Sequence, residues 1–204
     1  YFGENSPEFS IVGTKTIELD RPQEGRSFAK HEYAGGQGVP IDGLVPRLLF
    51  ATRFWDLRLA LTTLLGDDSR ILFHRNVRDR VKRVAPFLEV DSDPYPVAAD
   101  GQIKWVIDCY TTSDMMPYSK RVNLGDLSQV FQGKQEDSGI IPAEFIRLLE
   151  RRTQRANYVR GSVKAIVDAY DGSVTLYVTD PDDKLLQAWR RAFPDAFTPV
   201  EEAS

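Results

Sequence analysis

One short pattern occurs twice in this chain, and each copy lies beside an Asp-Gly turn signal. Residues 163–180 read VKAIVDAYDGSVTLYVTD, and residues 106–114 read VIDCYTTSD, so both contain Val/Ile-Asp-x-Tyr-x-x-Ser. Asp171-Gly172 and Asp100-Gly101 each join two β-rich runs. Such dipeptides favour tight hairpin turns, because these turns need a residue with positive φ. The sequence therefore predicts two antiparallel hairpins, with the duplicated pattern as part of the framework.

The N-terminal region predicts further strands and then a loop. Residues 8–20 are rich in Ile, Val and Thr, alternate after Ile11 and are closed by Arg21-Pro22. This pattern is typical of one or two strands. Residues 23–38 are polar and end in Gly35-Gly36-Gln37-Gly38, which predicts a loop.

Two helices are predicted in the middle of the chain. Residues 41–65 carry two apolar files at three-to-four spacing, and so wide a stripe indicates a mostly buried helix at the centre of the core. A second helix is predicted from about residue 70 to 85, with capping oxygens in Asp67-Asp68-Ser69 and a stop at Pro86. The two files of the first helix are Leu44, Leu48, Ala51, Trp55 and Leu59, and Leu49, Leu57, Leu61 and Leu64.

Two more helices complete the predicted fold. One runs from Pro142 to about Arg155; the other starts at Asp180-Pro181-Asp182-Asp183 and ends at Pro194. Together these elements predict an α+β fold, in which antiparallel hairpins pack against several helices. A chain of 204 residues suits one globular unit, with two lobes at about 1–120 and 157–204 as an alternative.

The duplicated pattern places Asp108 and Asp168 at equivalent positions of the two hairpins. If the hairpins pair in one sheet, the two carboxylates can approach each other and act as an acid/base pair or as metal ligands. The simpler interpretation is that each Asp caps a turn or pairs with an Arg. We expect the simpler one, because no third ligand is evident.

A group of basic residues forms the second candidate site. Arg75, Arg78 and Lys82 fall on one side of the helix predicted at 70–85. They suit binding of phosphate head groups or of an anionic cell-envelope polymer, whereas the alternative is an ordinary solvated helix face. We expect the solvated face.

Two further groups suggest ion sites but lack the necessary patterns. The Gly35–Gly38 segment lacks the Lys-Ser/Thr of a phosphate loop. The acidic group near the C-terminus lacks the pattern of a calcium loop, and helix capping explains most of it. Its members are Asp171, Asp180, Asp182 and Asp183.

No other residues indicate catalysis. Cys109 is the only cysteine and lies in a β-rich run, which predicts an inert buried thiol. His31 and His74 are too isolated in the sequence for a zinc site. No serine-nucleophile elbow is present. We therefore predict no catalytic residue, no metal and no cofactor.

Charge and hydropathy limit the classes of partner. The formal net charge is −4, which argues against nucleic acid as a partner. The most apolar stretch, residues 41–65, is interrupted by Arg47, Arg53, Asp56 and Arg58. Each charge at a bilayer centre costs about 2.5–3.5 kcal/mol, so the stretch is not predicted to span a membrane. The start Tyr1-Phe2-Gly3-Glu4 carries neither Met nor a signal sequence and suggests a piece of a longer protein.

Several long segments resemble uncharacterised protein family 0182. They include GGQGVPIDGLVPRLLFATRFWDLRLAL, DSRILFHRNVRDRVKRVAPFLEVDSDPYPVAADGQIKWVIDCYTTSDMMPYS, NYVRGSVKAIVDAYDGSVTLYVTDPDD and AWRRAFPDAF. The resemblance implies a large multi-pass membrane protein of actinobacteria or cyanobacteria with a long extracytoplasmic portion. It transfers no activity, and it leaves residues 121–156 as a variable insertion. The VDAxDG hairpin is also similar to PepSY modules, which implies a duplicated scaffold.

From the residues and the resemblance we expect a non-enzymatic binding or interaction domain. The resemblance implies that it lies on the extracytoplasmic side of the cell membrane, where its partners would be its own transmembrane region and an envelope polymer or another protein. One alternative is a metal-dependent or acid/base enzyme using Asp108 and Asp168. Another is an external sensor or gate of a transporter.

Overall fold

The computed structural model describes residues 1–16, 18–22, 28–31, 33–99, 101–123 and 155–200. It confirms the predicted α+β fold with antiparallel hairpins. The helix predicted from Pro142 lies outside the described residues, except that Arg155 begins a strand. In chain order the strands are β1 (Phe9–Thr14), β2 (Glu18–Pro22), β3 (Phe28–His31), β4 (Val39–Pro40), β5 (Leu65–Phe73), β6 (Glu89–Val90), β7 (Tyr95–Ala99), β8 (Gln102–Ser113), β9 (Val122–Asn123), β10 (Arg155–Ala156), β11 (Tyr158–Asp168), β12 (Val174–Val178) and β13 (Phe197–Pro199). The helices are α1 (Leu44–Phe54), α2 (Arg58–Leu61), α3 (Val77–Val84) and α4 (Lys184–Ala192), and a 3₁₀ turn spans Pro194–Ala196.

The chain divides into two compact units. The first contains Tyr1–Arg80, Pro96–Trp105 and Val167–Ser173, and the second contains Val81–Tyr95, Val106–Ile166 and Val174–Ser204. The two lobes expected at 1–120 and 157–204 stay a prediction.

A three-stranded antiparallel sheet, in the order β1-β5-β4, forms the base of the first unit. Its buried centre consists of Ile41, Leu65 and Ile71. Phe9 of β1 stacks on Phe54 of α1, with ring centroids 4.5 Å apart. Helix α1 therefore covers this sheet with an aromatic side.

The helix predicted over 70–85 is wrong in its first part, because residues up to Phe73 belong to β5. Ser69 is not a helix cap: its buried hydroxyl accepts a hydrogen bond from Gly66 N (2.8 Å) and donates one to Gly13 O (2.9 Å). The true cap is Asn76, whose Oδ1 accepts from the backbone N–H groups of Arg78 (2.9 Å) and Asp79 (3.2 Å). Residues 65–73 form a strand because they pair with β1. No pattern within these residues indicates that pairing.

The helix predicted over 41–65 is shorter and less buried than expected. Helix α1 ends at Phe54, Trp55 follows in the left-handed conformation (φ 53°), and the chain enters β5 at Leu65. Within α1 only Ala51 is fully buried, and within α2 only Leu59. The expectation that this segment is a buried core element is therefore wrong for one of its two sides.

The second unit is organised around the larger sheet, in the order β13-β12-β11-β8-β6. Alternate residues of β8, Ile107, Cys109 and Thr111, are fully buried. Leu186 of α4 is also fully buried and packs this helix onto the unit. The last helix begins at Lys184, later than predicted, and its N-cap is Asp183.

Both predicted hairpins are present. Strand β7 pairs with β8 across Gly101, and β11 neighbours β12 beyond the turn at Asp171-Gly172. Gly101 and Gly172 both have φ 73°. A Cβ on Gly172 would meet the Phe2 ring at 2.7 Å, whereas nothing lies within 4 Å of a Cβ on Gly101. Positive φ requires glycine at both turns, and close packing requires it at one of them.

Candidate functional site

The two duplicated acids have separate local partners. Asp108, in the second unit, forms an ion pair with Lys164, which also donates to the Tyr95 hydroxyl at 3.4 Å. The hydrogen bond to Asp108 raises the pKa of Lys164. Asp168, in the first unit, accepts hydrogen bonds from the backbone N–H groups of Tyr170 (2.7 Å) and Asp171 (3.2 Å). Asp108 therefore pairs with a lysine, and Asp168 caps a turn. The hypothesis that the two carboxylates act as an acid/base pair or as metal ligands stays a prediction.

Polar neighbours of Asp108 on β8 are also satisfied. The Tyr110 hydroxyl donates to Asp91 Oδ2 at 2.7 Å. Burial and this hydrogen bond raise the pKa of Tyr110. On the opposite side of the strand, burial raises the pKa of Cys109 to about 12, so its thiol is protonated at neutral pH and unreactive.

The three predicted basic residues do not lie on one helix. Arg75 precedes α3 and donates from Nε to Tyr1 O (2.7 Å) and from Nη1 to Phe9 O (3.4 Å). Burial lowers the pKa of its guanidinium. Arg78 and Lys82 lie on α3, one turn apart, and Lys82 is exposed. Arg75 is thus a structural residue of the first unit, and the binding role of the stripe stays a prediction.

Arg80 lies in the same region, and no pattern in the sequence indicated it as a site residue. Its guanidinium carbon lies 4.6 Å from the centroid of the Phe2 ring, and its Nε donates to Gly172 O. A cation over an aromatic face is stabilised by the ring quadrupole. Arg80 therefore fastens the Asp171-Gly172 turn within the first unit.

The acidic group near the C-terminus has a structural role. The carboxylate of Asp183 accepts hydrogen bonds from the hydroxyls of Thr111, Ser162 and Tyr158 and from Leu185 N (3.0 Å). Burial alone would raise the pKa of Asp183, but these four hydrogen bonds outweigh burial and lower it. Asp180 pairs with Arg160 at 2.6 Å. Among the described residues, no group of three or more His, Cys, Asp or Glu side chains is arranged to hold a metal ion.

The glycine-rich segment is tied to the sheet. Arg70 Nη1 of β5 donates to Gly36 O at 3.1 Å, and Gly38 has φ 98°. His74 follows β5 in a left-handed conformation (φ 53°), and His31 lies in β3. His74 therefore lies in the connection between β5 and α3.

The clearest candidate for function is the outer side of α1 and α2, which we call the α1–α2 face. Eight large apolar side chains on it are about half exposed or more. Trp55 is 93% exposed and Leu61 80% exposed. The face consists of Leu44, Val45, Leu48, Leu49, Trp55, Leu57, Leu61 and Leu64.

Helix α1 is apolar on two sides. Phe50, Ala51 and Phe54 face the sheet of the first unit, and Leu44, Leu48 and Leu49 point away from it. At 3.6 residues per turn the exposed positions fall on one continuous side. A helix that is apolar all round is normally buried all round. The wide apolar stripe in the sequence correctly predicted a helix with apolar residues on two sides. Within the described residues, only one of these two sides is covered.

The conformation of Trp55 adds to this interpretation. Left-handed φ is unfavourable for a residue with a Cβ, and helices usually end in Gly at such a position. A fully exposed Trp contributes no packing to offset that cost. An unfavourable conformation at an exposed aromatic residue is typical of a contact surface.

Two hollows lie on the described surface. One of about 80 Å³ lies among Phe50, Phe54, Phe73, Glu8, Arg53 and His74. Another, of about 330 Å³, is open and lined by Gln187, Arg190, Arg191 and Pro194. Small-molecule sites are usually enclosed clefts of about 300–1,000 Å³. The first of these hollows is smaller than that range, and the second is open to solvent.

Among the described residues, no helix is long and apolar enough to cross a bilayer.

The chain is similar to a known family and to several of its members. The model of the uncharacterised protein family UPF0182 matches residues 1–204. A UPF0182 protein of Frankia alni is 44% identical over 100% of this chain, and one of Clavibacter michiganensis is 40% identical over 100%. The chain spans about a fifth of the length of these relatives, 19% and 20% respectively. No solved structure matches the chain, and the PepSY-like resemblance gains no support. The chain belongs to the uncharacterised protein family UPF0182.

Proposed function

We propose that this chain is a non-enzymatic interaction module of a longer UPF0182 polypeptide. The α1–α2 face is its docking surface, and the occupant is another segment of the same polypeptide. The observation that carries the proposal is the set of eight exposed apolar side chains on α1, on α2 and on the residues that adjoin them.

The energetics favour a permanent cover. Full burial of one Leu side chain contributes about 1.5–3 kcal/mol, and six of the eight residues are Leu. Soluble monomers rarely expose a contiguous apolar patch above a few hundred Å². Surfaces that are permanently paired resemble a domain core cut in two. The α1–α2 face has this character, because its eight residues are all apolar, although the same stretch of chain also carries Arg47, Arg53, Asp56 and Arg58.

The length of the relatives supports an occupant within the same polypeptide. Curated relatives are about five times as long as this chain, since it covers 19% of the Frankia alni protein. A covalently linked segment has a high effective concentration at its partner surface. An apolar segment of the same polypeptide therefore has the advantage over a free protein.

Photo-crosslinking in the full-length protein tests the docking. We expect a photoreactive residue at Leu48 to crosslink to a second peptide of the same polypeptide, and Leu49→Glu to reduce the yield. Lys82, exposed on α3, is the matched control position and should give no such product. Absence of a crosslink at Leu48, or a product with lipid or a second copy, would contradict the proposal.

We also propose that the chain lies on the extracytoplasmic side of the cell membrane. A transmembrane region elsewhere in the same polypeptide would anchor it there. The support for this location is the family resemblance of the quoted segments. An envelope polymer or a second protein is then within reach of its remaining surface.

Sidedness can be measured with a single introduced thiol. Asp182 is exposed, whereas Cys109 is buried with its pKa raised to about 12 and should stay silent. In a full-length protein whose other exposed cysteines are removed, Asp182→Cys should react in intact cells with a membrane-impermeant maleimide. Labelling only after cell lysis would refute the extracytoplasmic location.

A further inference from the structure

We propose a second interaction site, the loop of residues 114–121, which we call the recognition loop. The recognition loop binds a separate protein. Its exposed side chains enter an apolar pocket of that protein, and the rim of this pocket carries carboxylates. This site is distinct from the α1–α2 face and does not depend on the docking proposed for that face.

One side chain holds the recognition loop in shape. Asn157 Nδ2 donates to Met116 O (2.8 Å) and to Ser119 O (3.2 Å), and its Oδ1 accepts from Met116 N (3.1 Å). The Asn157 backbone adds a bond from its N–H to Ser113 O (2.9 Å) and accepts one from Ser119 Oγ (3.3 Å). Asn157 therefore pairs with the loop much as a neighbouring strand would.

The ends of the loop are closed as well. Arg121 Nε donates to Asp114 O at 2.9 Å, and Met115 N donates to Ser113 Oγ at 3.1 Å. Pro117 fixes one φ in the middle. Tyr118 then adopts a left-handed conformation, with φ 60°. This conformation is unfavourable for a residue with a Cβ, so the surrounding bonds impose it.

The side chains of this ordered loop point into solvent. Met115 is 85% exposed, and Tyr118 is fully exposed at 108%. Among the described residues, the hydrogen bonds that hold the loop end on backbone atoms or on the side chains of Ser113, Ser119, Arg121 and Asn157. The loop is thus ordered without help from its two most exposed apolar residues, and this arrangement presents them to a partner.

Composition and charge define the chemistry of the partner. Tyr, Met and Arg are enriched in protein interfaces, and a few such anchors supply most of the binding energy. Lys120 and Arg121 are exposed beside the anchors, so carboxylates at the rim of the partner pocket would complement them. A loop already held in its bound shape loses little conformational entropy on binding.

The same features decide between occupants. A bilayer surface adapts to any shape and so makes no use of the fixed conformation of this loop, and anionic head groups would repel the exposed Asp114. A permanently docked segment of the same polypeptide would call for a broad apolar surface such as the α1–α2 face. A small loop of mixed polarity is typical of a transient contact between separate proteins.

Site-specific photo-crosslinking in the full-length protein, expressed in its native host, tests the inference. We expect a benzoylphenylalanine at position 118 to form a covalent product with a separate protein, attached at a peptide that contains Asp or Glu. Asn157→Asp keeps the acceptor and removes both Nδ2 donors, and it should lower the yield about tenfold. The same photoreactive residue at exposed Asp182 should not capture that protein.

A second variant guards against misfolding. Lys120→Glu leaves every Asn157 bond in place, and it should also lower the yield; a reversed charge on the captured peptide should restore it. The inference is overturned by a product within the same polypeptide, with a second copy or with lipid, by no product, or by yields that neither variant changes.

Discussion

At the scale of single residues, Asp183 connects several elements of the second unit. Its side chain is buried and caps α4 by accepting a hydrogen bond from Leu185 N. It also accepts hydrogen bonds from hydroxyl groups on β8 and β11. One carboxylate therefore joins a helix to two strands. Charge-assisted hydrogen bonds are stronger than neutral ones, and leaving their partners buried without an acceptor is costly.

We predict that Asp183→Ala destabilises the chain by about 3 kcal/mol or more, the sum of a lost cap and of unsatisfied buried hydroxyls. Urea unfolding followed by circular dichroism measures this. Asp182→Ala is the matched control, because Asp182 is exposed and its side chain should matter little. Equal effects of the two substitutions would show that Asp183 is not the anchor.

The pH dependence of stability follows from the same residue. The pKa of Asp183 is lowered in the folded state, so the folded state favours the carboxylate. Its contribution is present above the unfolded pKa of about 4 and is lost as pH falls through the folded pKa. We therefore expect unfolding free energy to decline below about pH 4. In Asp183→Asn this decline should be shallower, and an identical profile would contradict the assignment.

At the scale of elements, the turns and strand ends show which local signals were sufficient. Asp-Gly predicted both hairpins, because the requirement for positive φ is local. In contrast, Asp67-Asp68-Ser69 resembles a helix cap but lies in β5, where Ser69 bonds Gly13 of the paired strand. A cap and an irregular strand need the same small polar residues, and only the paired strand distinguishes them.

The two hairpin glycines provide a matched pair of substitutions. Gly172→Ala should destabilise more than Gly101→Ala, because both have φ 73° but only Gly172 has the Phe2 ring against its Cα. We expect about 1 kcal/mol for Gly101→Ala from backbone strain and about 1–3 kcal/mol beyond that for Gly172→Ala from the clash. Thermal unfolding of both variants measures the difference. Equal losses would mean that Phe2 does not pack on the turn.

At the scale of the whole molecule, the chain has two kinds of apolar residue, those that hold its own core and those that are available to a partner. Ile71 is fully buried, whereas Leu48 and Leu49 are 47% and 65% exposed. Their residue types are similar, so no scale of hydrophobicity separates them. Their different surroundings do.

We predict that Leu48→Gln with Leu49→Gln changes the unfolding free energy of this chain by less than about 1 kcal/mol and reduces its self-association. Ile71→Ala, the core control, should cost about 2–5 kcal/mol. Denaturant unfolding and sedimentation velocity give the two readouts. A large loss of stability in the double variant would place these residues in the core and remove the basis for docking.

Features with local causes could be predicted from the amino-acid sequence. These are the two Asp-Gly hairpins, the alternation that buries Cys109, and the wide apolar stripe of α1. Each depends on backbone conformation or on the spacing of neighbouring residues, so the pattern was sufficient. The family resemblance was likewise visible in unbroken segments, and the chain does belong to UPF0182.

Features that need a partner distant in sequence became visible in the three-dimensional structure. It assigned Leu65–Phe73 to a strand, chose Asp183 among four acids as the cap, and gave Asp108 and Asp168 different partners. It also revealed that Asn157 orders a loop centred on Tyr118, far away in sequence. Such contacts depend on which segments meet in space, and a one-dimensional pattern does not contain that information.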